Sequence, residues 1–267
     1  MARQTIKIAE WLKLPEVRNI KNLDDPATTL LHGQIIQKKL FLKKLYIDFY
    51  KQFQRAIPDC ENKLLVEIGS GGGFIKEILP NVITSDILKL PNVDKVFSAL
   101  DMPFEDSRVD AFFLIDVLHH ITNPRRFFTE ALRCLKGGGK IVMIEPANTC
   151  WSRFIYKNFH HELFDTQSNW ESAGNGQGPV SQGNGALPWI IFSRDRQIFE
   201  KEFPTLKIGR IRNHTPLRYL LSGGLTLRQL FPSFTYPVIK VMEYILSPAS
   251  NLLGMFQTIE LEKVYPP

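Results

Sequence analysis

Cysteine is scarce in this sequence: three residues in 267, at positions 60, 134 and 150. They share no close spacing and form no Cys-x-x-Cys pair, which argues against a disulfide framework or a thiolate zinc site and suits a reducing cytoplasm. Buried, inert thiols are expected. Long apolar runs are missing too. AFFLI at 111–115 is typical of the longest, far below the ~20 residues that span a bilayer. The opening MARQTIKIAEWLKLPEV mixes charge through its apolar positions and shows no secretory pattern. A soluble or peripheral protein is expected, without internal repeats.

What is present suffices for a core, at 44% hydrophobic and 22% charged residues. The net charge of +6 is unevenly spread. Residues 1–62 hold 11 Lys/Arg against 7 Asp/Glu, and 147–232 hold 10 against 6, whereas 63–146 hold 10 against 11. Basic flanks around a near-neutral centre favour an anionic acceptor or surface, or serve solubility alone.

Residues 34–55 have the apolar spacing of an amphipathic helix with a lysine-rich outer face. Strands are expected at 63–68, 82–87, 95–100, 109–118 and 140–146, with helices from 73 to 79 and from 124 to 135, the latter stopped by Gly137–Gly139. Alternating strands and helices mean βαβ units and a parallel sheet, which receives ligands at the carboxyl ends of its strands. Beyond Pro146 the spacing predicts helices over 151–164, 188–204 and 233–246 and a strand over 205–212. Residues 255–264 alternate like an antiparallel edge strand. The stretch 167–188 has five glycines between 174 and 185 and reads as a long functional or disordered loop.

VEIGSGGGF, residues 66–74, places four glycines within five positions after a buried strand. A phosphate loop needs GxxxxGK[ST], and no Lys-Ser/Thr pair follows. A nicotinamide turn needs glycine where Phe74 stands, and Glu67 is unwelcome beside a pyrophosphate. Glu67, Gly69, Gly71 and Gly73 suit instead a ligand with a cationic amino-acid end, because glycines admit close backbone approach and the carboxylate meets an ammonium. Asp86, seventeen residues past Gly69, is placed to accept from a ribose diol. Asp101 is placed for an adenine amine with Met102 against the ring, and Asp116 closes the fourth strand.

These pieces, VEIGSGGG, TSDI, ALDMPFEDSRVDAFFLIDVLHHI and EALRCLKGGGKIVMIEP, resemble the class I S-adenosylmethionine-dependent methyltransferases with a methyltransferase-11 type domain, over about residues 60–147. The resemblance implies an α/β, Rossmann-like, seven-stranded and mostly parallel sheet with helices on both faces and an antiparallel last strand. It implies S-adenosyl-L-methionine as cofactor and S-adenosyl-L-homocysteine as product. Glu67, Gly69, Ser70, Gly71 and Gly73 would line its methionine and ribose, Asp86 with Ile87 its ribose, Asp101 and Met102 its adenine, and Asp116 would lie near its amino group. Residues 1–58 are expected as an N-terminal helical cap and 59–267 as the methyltransferase domain, with 147–204 a substrate-side insertion after the fifth strand.

Methyl transfer from a sulfonium depends chiefly on in-line alignment, and a hydroxyl acceptor gains from a general base. His120, His119 and Glu145 are the candidates at the strand ends. His160, His161, Arg194 and Arg196 are candidate acceptor contacts; the HHE run lacks the His spacing of HExxH, so no metal is expected. ALPWIIFSRDRQIFEKEFP resembles methylases associated with cell-surface glycan assembly. The expected function is O-methylation of a small or lipid/glycan-linked acceptor in the cytoplasm, with peripheral contact at the inner membrane face left open. Nucleic acid ranks second, because no NPPY-like motif or aromatic-basic module is present. A non-catalytic, S-adenosylmethionine-binding regulator remains the third alternative.

Overall fold

In the computed structural model residues 10–160, 162–171 and 178–265 are described. His161 and residues 172–177 of the glycine-rich stretch lie outside them. The sheet has seven strands: β1 (Leu65–Ile68), β2 (Ile83–Asp86), β3 (Lys95–Val96), β4 (Val109–Ile115), β5 (Leu135–Pro146), β6 (Leu206–His214) and β7 (Phe256–Lys263). Their order is β3-β2-β1-β4-β5-β7-β6. The pairs among β1 to β5 are parallel, while β7 runs antiparallel to both β5 and β6. Among the described residues the α-helices are α1 (Pro26–Lys38), α2 (Leu40–Ala56), α3 (Pro124–Cys134), α4 (Cys150–Phe159), α5 (Leu187–Trp189), α6 (Arg196–Glu202), α7 (Arg218–Ser222), α8 (Tyr236–Ile245) and α9 (Ser250–Leu253).

The apolar run of β4 makes it the axis of the core, since a strand covered on both faces needs no alternation. Successive side chains of a strand point to opposite faces. Phe113 stacks on Phe53 of α2, with centroids 4.6 Å apart. Phe112 meets Phe104 on the other face, where Arg133 of α3 donates to the Phe104 carbonyl at 2.8 Å. Phe128 of α3 then packs edge-on against Phe192, Phe199 and Phe203.

Several expected elements are shorter or broken. The helix expected over 34–55 is two, meeting at Lys39, whose φ of −88° and ψ of 88° interrupt the α-conformation. Lys39 is not on an outer lysine face: its Nζ turns inward and donates to the carbonyls of Gly224 at 2.5 Å and Leu227 at 2.8 Å. The helix expected from Gly73 is a single 3-10 turn, Ile75–Glu77, because Pro80 disfavours α-conformation in the residue before it. The strand at 95–100 ends at Val96, and the chain then turns, with Asp101 N donating to the Ser98 carbonyl at 3.0 Å.

The strand expected to lie at the sheet edge, 255–264, is interior; β6 is the edge. Its alternation misleads because the polar residues are paired, not solvated. Thr258 Oγ1 lies 2.8 Å from both His214 Nε2 and Gln52 Oε1, and Gln257 Nε2 donates to the Pro146 carbonyl.

Candidate active site

Parallel strands β1, β2 and β4 deliver their carboxyl ends to one cavity of about 310 Å³, within the range of small-molecule sites. The turn after β1 forms its floor. Gly69 and Gly71 have φ of +66° and +51°, where a side chain is strained, and a Cβ on Gly69 would meet Val117 Cγ2 at 2.5 Å. Gly73 serves differently, since a Cβ there would meet the Tyr50 hydroxyl at 2.6 Å; that hydroxyl accepts from Phe74 N. Gly72, which the acidic-x-Gly-x-Gly-x-Gly pattern leaves unassigned, presses backbone to backbone on Gly33 of α1, and a Cβ would lie 2.4 Å from Gly33 Cα.

Glu67 is 3% exposed and lines the cavity. Its Oε2 has no hydrogen-bond partner among the described residues, and burial pushes its pKa up to about 8. Ser70 lines the cavity too, and its hydroxyl accepts from Ser85 N at 3.1 Å. Asp86 ends β2 with Oδ2 accepting from Gly71 N at 2.9 Å and Oδ1 from Leu88 N at 2.8 Å. Each oxygen keeps a second lone pair for a ligand hydroxyl. Ile87 stands exposed at the rim.

Asp101 and Met102 do not reach the cavity. Asp101 is exposed and Met102 is 3% exposed in the core. The turn that ends β3 early sends Phe97, Ser98, Ala99 and Leu100 to the wall instead. Strand spacing ran four residues too far, carrying β3 to Leu100 where it ends at Val96.

Asp116 follows the last residue of β4, has φ of +55° and lines the cavity with a carboxyl that burial raises to about 8. Glu145 is fully buried behind it and has no place in the cavity wall. Its Oε1 accepts from Val117 N at 2.9 Å and Leu118 N at 2.7 Å, and its Oε2 is 2.7 Å from His119 Nδ1. Glu145 therefore shapes the turn after β4, which corrects its assignment as a base. His119, 4% exposed, is also behind the wall. Burial alone would lower its pKa, but the carboxylates of Glu145 and Glu162 hold it well above the ordinary histidine range. Only His120 of the pair lines the cavity. Burial, aided by His119, lowers it to about 4, and its Nδ1 lies 3.0 Å from the Gln182 carbonyl.

The roof joins remote segments. Thr29, His32 and Ile36 come from α1, Tyr46 and Tyr50 from α2, Pro179 and Val180 from the glycine-rich stretch, and Leu225 from beyond α7. Asp24 latches two of these together, accepting from Val180 N at 2.7 Å, Ser181 N at 3.0 Å and Ser181 Oγ at 2.6 Å. Local sequence holds no sign of these residues, which meet only through the fold.

Arg194 and Arg196 are elsewhere. Arg194 is paired with Asp195 and donates to the carbonyls of Thr166 and Ser168. Arg196 pairs with Glu200 along an exposed helix face. Neither joins the cavity wall. His160 follows α4 with its Nδ1 3.8 Å from Glu162 Oε2, and it also stands outside that wall. Conversely, Glu162 comes with His119 and His120 into one group of ligand atoms within 4.8 Å of one another, a convergence that linear spacing does not reveal.

The residues present fit S-adenosylmethionine: a buried carboxylate with an unmet oxygen suits its ammonium, and Asp86 suits its ribose hydroxyls. Residues 66–143 match the family model described as a methyltransferase domain. A probable S-adenosylmethionine-dependent methyltransferase of Mycobacterium tuberculosis is 25% identical over 114 residues, 38% of this chain and 42% of that protein. The chain thus matches less than half the length of that curated relative. An uncharacterized protein of Methanocaldococcus jannaschii is 44% identical over 43 residues, 16% of this chain and 21% of its own. Among solved structures, a chain of the complex between the Haloferax volcanii Trm112 methyltransferase activator and a methyltransferase superposes with a TM-score of 0.51. It has 12% identity and covers 91% of this chain and 99% of its own, a likeness of fold. Through residues 66–143, on a seven-stranded sheet ordered β3-β2-β1-β4-β5-β7-β6, this chain is similar to S-adenosylmethionine-dependent methyltransferases.

Proposed function

We propose that the chain transfers the methyl group of S-adenosylmethionine to a hydroxyl oxygen of a small, or lipid- or glycan-linked, acceptor. The observation that carries this reading is the single cavity that runs from Glu67 and Asp86 to Asp116 and His120. When bound, the sulfonium supplies an electrophilic methyl carbon and a good leaving group. Glu67 holds the amino-acid end, Asp86 the ribose, and Phe97 to Leu100 flank the adenine.

Asp116 is the side chain placed to take the acceptor proton, since it faces the cavity and burial holds it near 8, where a general base works best. Residues 1–58 act as a cap and 147–204 as an insertion that encloses the acceptor, the division that the Asp24 latch to Val180 and Ser181 supports. A lipid-linked acceptor is supported by one exposed face at α8, where Phe234, Val238, Val241, Met242 and Ile245 are 79%, 62%, 58%, 44% and 68% exposed. No helix among the described residues is long and apolar enough to cross a membrane, so contact there would be interfacial.

Thermal-shift measurement with saturating S-adenosylhomocysteine tests the donor half, and stabilisation is expected. Unchanged melting would overturn it. Radiolabelled methyl transfer into fractionated cell extract tests the acceptor half. Label in lipid or glycan is expected, and label confined to RNA would reverse the acceptor class.

A further inference from the structure

His119 and His120 follow one another on the turn after β4, their rings 4.1 Å apart and inclined at 41°. Each ring has its Nδ1 committed outward, His119 to Glu145 Oε2 at 2.7 Å and His120 to the Gln182 carbonyl at 3.0 Å. That is how proteins orient metal-ligating histidines: a carboxylate or carbonyl accepts from one ring nitrogen and aims the other at the ion. Here both Nε2 atoms converge on one carboxylate. His119 Nε2 is 3.5 Å from Glu162 Oε2, and His120 Nε2 is 3.9 Å from Glu162 Oε1.

The spacing has meaning. A charge-assisted hydrogen bond draws its atoms to about 2.7–2.9 Å. Ligand atoms on a tetrahedral ion with bonds of about 2.0–2.2 Å stand roughly 3.3–3.6 Å apart. The two contacts sit much nearer the second figure. A neighbouring trio, Asp116, His119 and Glu145, also brings ligand atoms within 4.8 Å. Glu145, however, is occupied by two backbone N–H groups and His119 Nδ1, so it supports the site and is not part of it.

We propose that His119, His120 and Glu162 form a binding site for a single first-row divalent ion of the zinc type, beside the cavity wall. Two imidazoles and a carboxylate suit such an ion, and three protein ligands leave a coordination position for water. The ion fastens the segment after α4 to the turn after β4, two parts of the chain that sequence separates by more than forty residues. Glu145 and the Gln182 carbonyl hold the two rings in the binding tautomer. The site stands on this geometry alone and does not depend on methyl transfer.

The full chain, stripped with chelator, is titrated with zinc chloride by calorimetry and examined with cobalt(II) by visible absorption. Cys150 is an exposed thiol, so Cys150→Ser is the background for every measurement. One equivalent of zinc is expected, with a rise in melting temperature and cobalt bands typical of four or five ligands without thiolate. Glu162→Gln and His120→Gln are each expected to weaken binding at least tenfold and to abolish the melting shift, with folding checked by circular dichroism. Failure of the folded background protein to bind zinc, or equal affinity in both folded variants, would overturn the site. If neither variant folds, the background protein's cobalt spectrum decides, and a spectrum like that of hexaaquo cobalt overturns the proposal.

Discussion

Glu67 lies buried one residue before the end of β1, with one carboxylate oxygen lacking a hydrogen-bond partner among the described residues, and burial has pushed it up to about 8 from an ordinary value of 4.5. Between those two values the folded chain holds a proton that the unfolded chain has released. The stability this group contributes is full below pH 4.5 and is lost as pH rises through 8. Melting temperature should therefore fall from pH 5 to pH 8 more steeply in the wild type than in Glu67→Gln, and parallel curves in scanning fluorimetry would contradict this. Asp86 is the second decisive residue. Asp86→Ala removes the two ribose acceptors proposed above and the contact to Gly71 N, at roughly 1.5–3 kcal/mol for a hydrogen bond to a charged group. S-adenosylhomocysteine should bind at least about tenfold more weakly by calorimetry, and wild-type affinity would rule the contact out. The sequence marked both as candidates, and both line the cavity, because a carboxylate at or near a strand end needs only the strand to place it. Asp101 was misplaced because the end of a two-residue strand depends on a turn whose hydrogen bonds cross from Ser98 to Asp101.

At the scale of elements, the break between α1 and α2 is made by a lysine, which composition assigns to solvent. Burial lowers Lys39 to about 8, and two carbonyls compensate its desolvation. A similar tie joins α2, α7 and α8. Arg218 of α7, 9% exposed, donates to Glu243 Oε2 at 2.5 Å, Asp48 Oδ2 at 2.6 Å and the Tyr236 hydroxyl at 2.6 Å. Glu243 also accepts from the backbone N–H groups of Leu217 and Arg218. Removing one partner of a buried pair strands the others, so Arg218→Ala should cost about 3–5 kcal/mol in urea unfolding. A loss below about 1 kcal/mol would mean the network is solvated in solution. Asp48 and Glu243 lie more than twenty residues from Arg218 in sequence, so helix spacing pointed to a helix over 233–246 but to neither α7 nor this network.

At the scale of the whole molecule, α8 leaves an apolar face uncovered, the side that carries Val238 and Val241. Lys240 beside them pairs with Asp48 at 2.8 Å, and Lys44 donates to the Ser233 carbonyl at 3.2 Å, so cationic groups border the patch. A contiguous exposed apolar surface of this kind marks an interaction site. The chain should co-sediment with vesicles containing anionic lipid. Val238→Glu with Val241→Glu should reduce that binding several-fold while leaving melting within a degree or two, since both side chains are already exposed. Sedimentation unaffected by the pair would remove the lipid surface from the acceptor argument.

Local chemistry by itself determined the turn after β1 and the carboxylates beside it. Glycines with positive φ after a buried strand, a carboxylate before them and another at the next strand end are short-range features, and each is set by the residue that bears it. The long strand β4 was equally plain, because an apolar run buried on both faces has few other uses. Tertiary structure alone decided the rest. It placed β7 inside the sheet by pairing its polar side chains, withdrew Glu145 and His119 behind the wall, turned Arg194 and Arg196 away, and closed the roof through Asp24. It also gathered His119, His120 and Glu162, because the distance between side chains from separate elements is fixed by packing and has no counterpart in linear spacing.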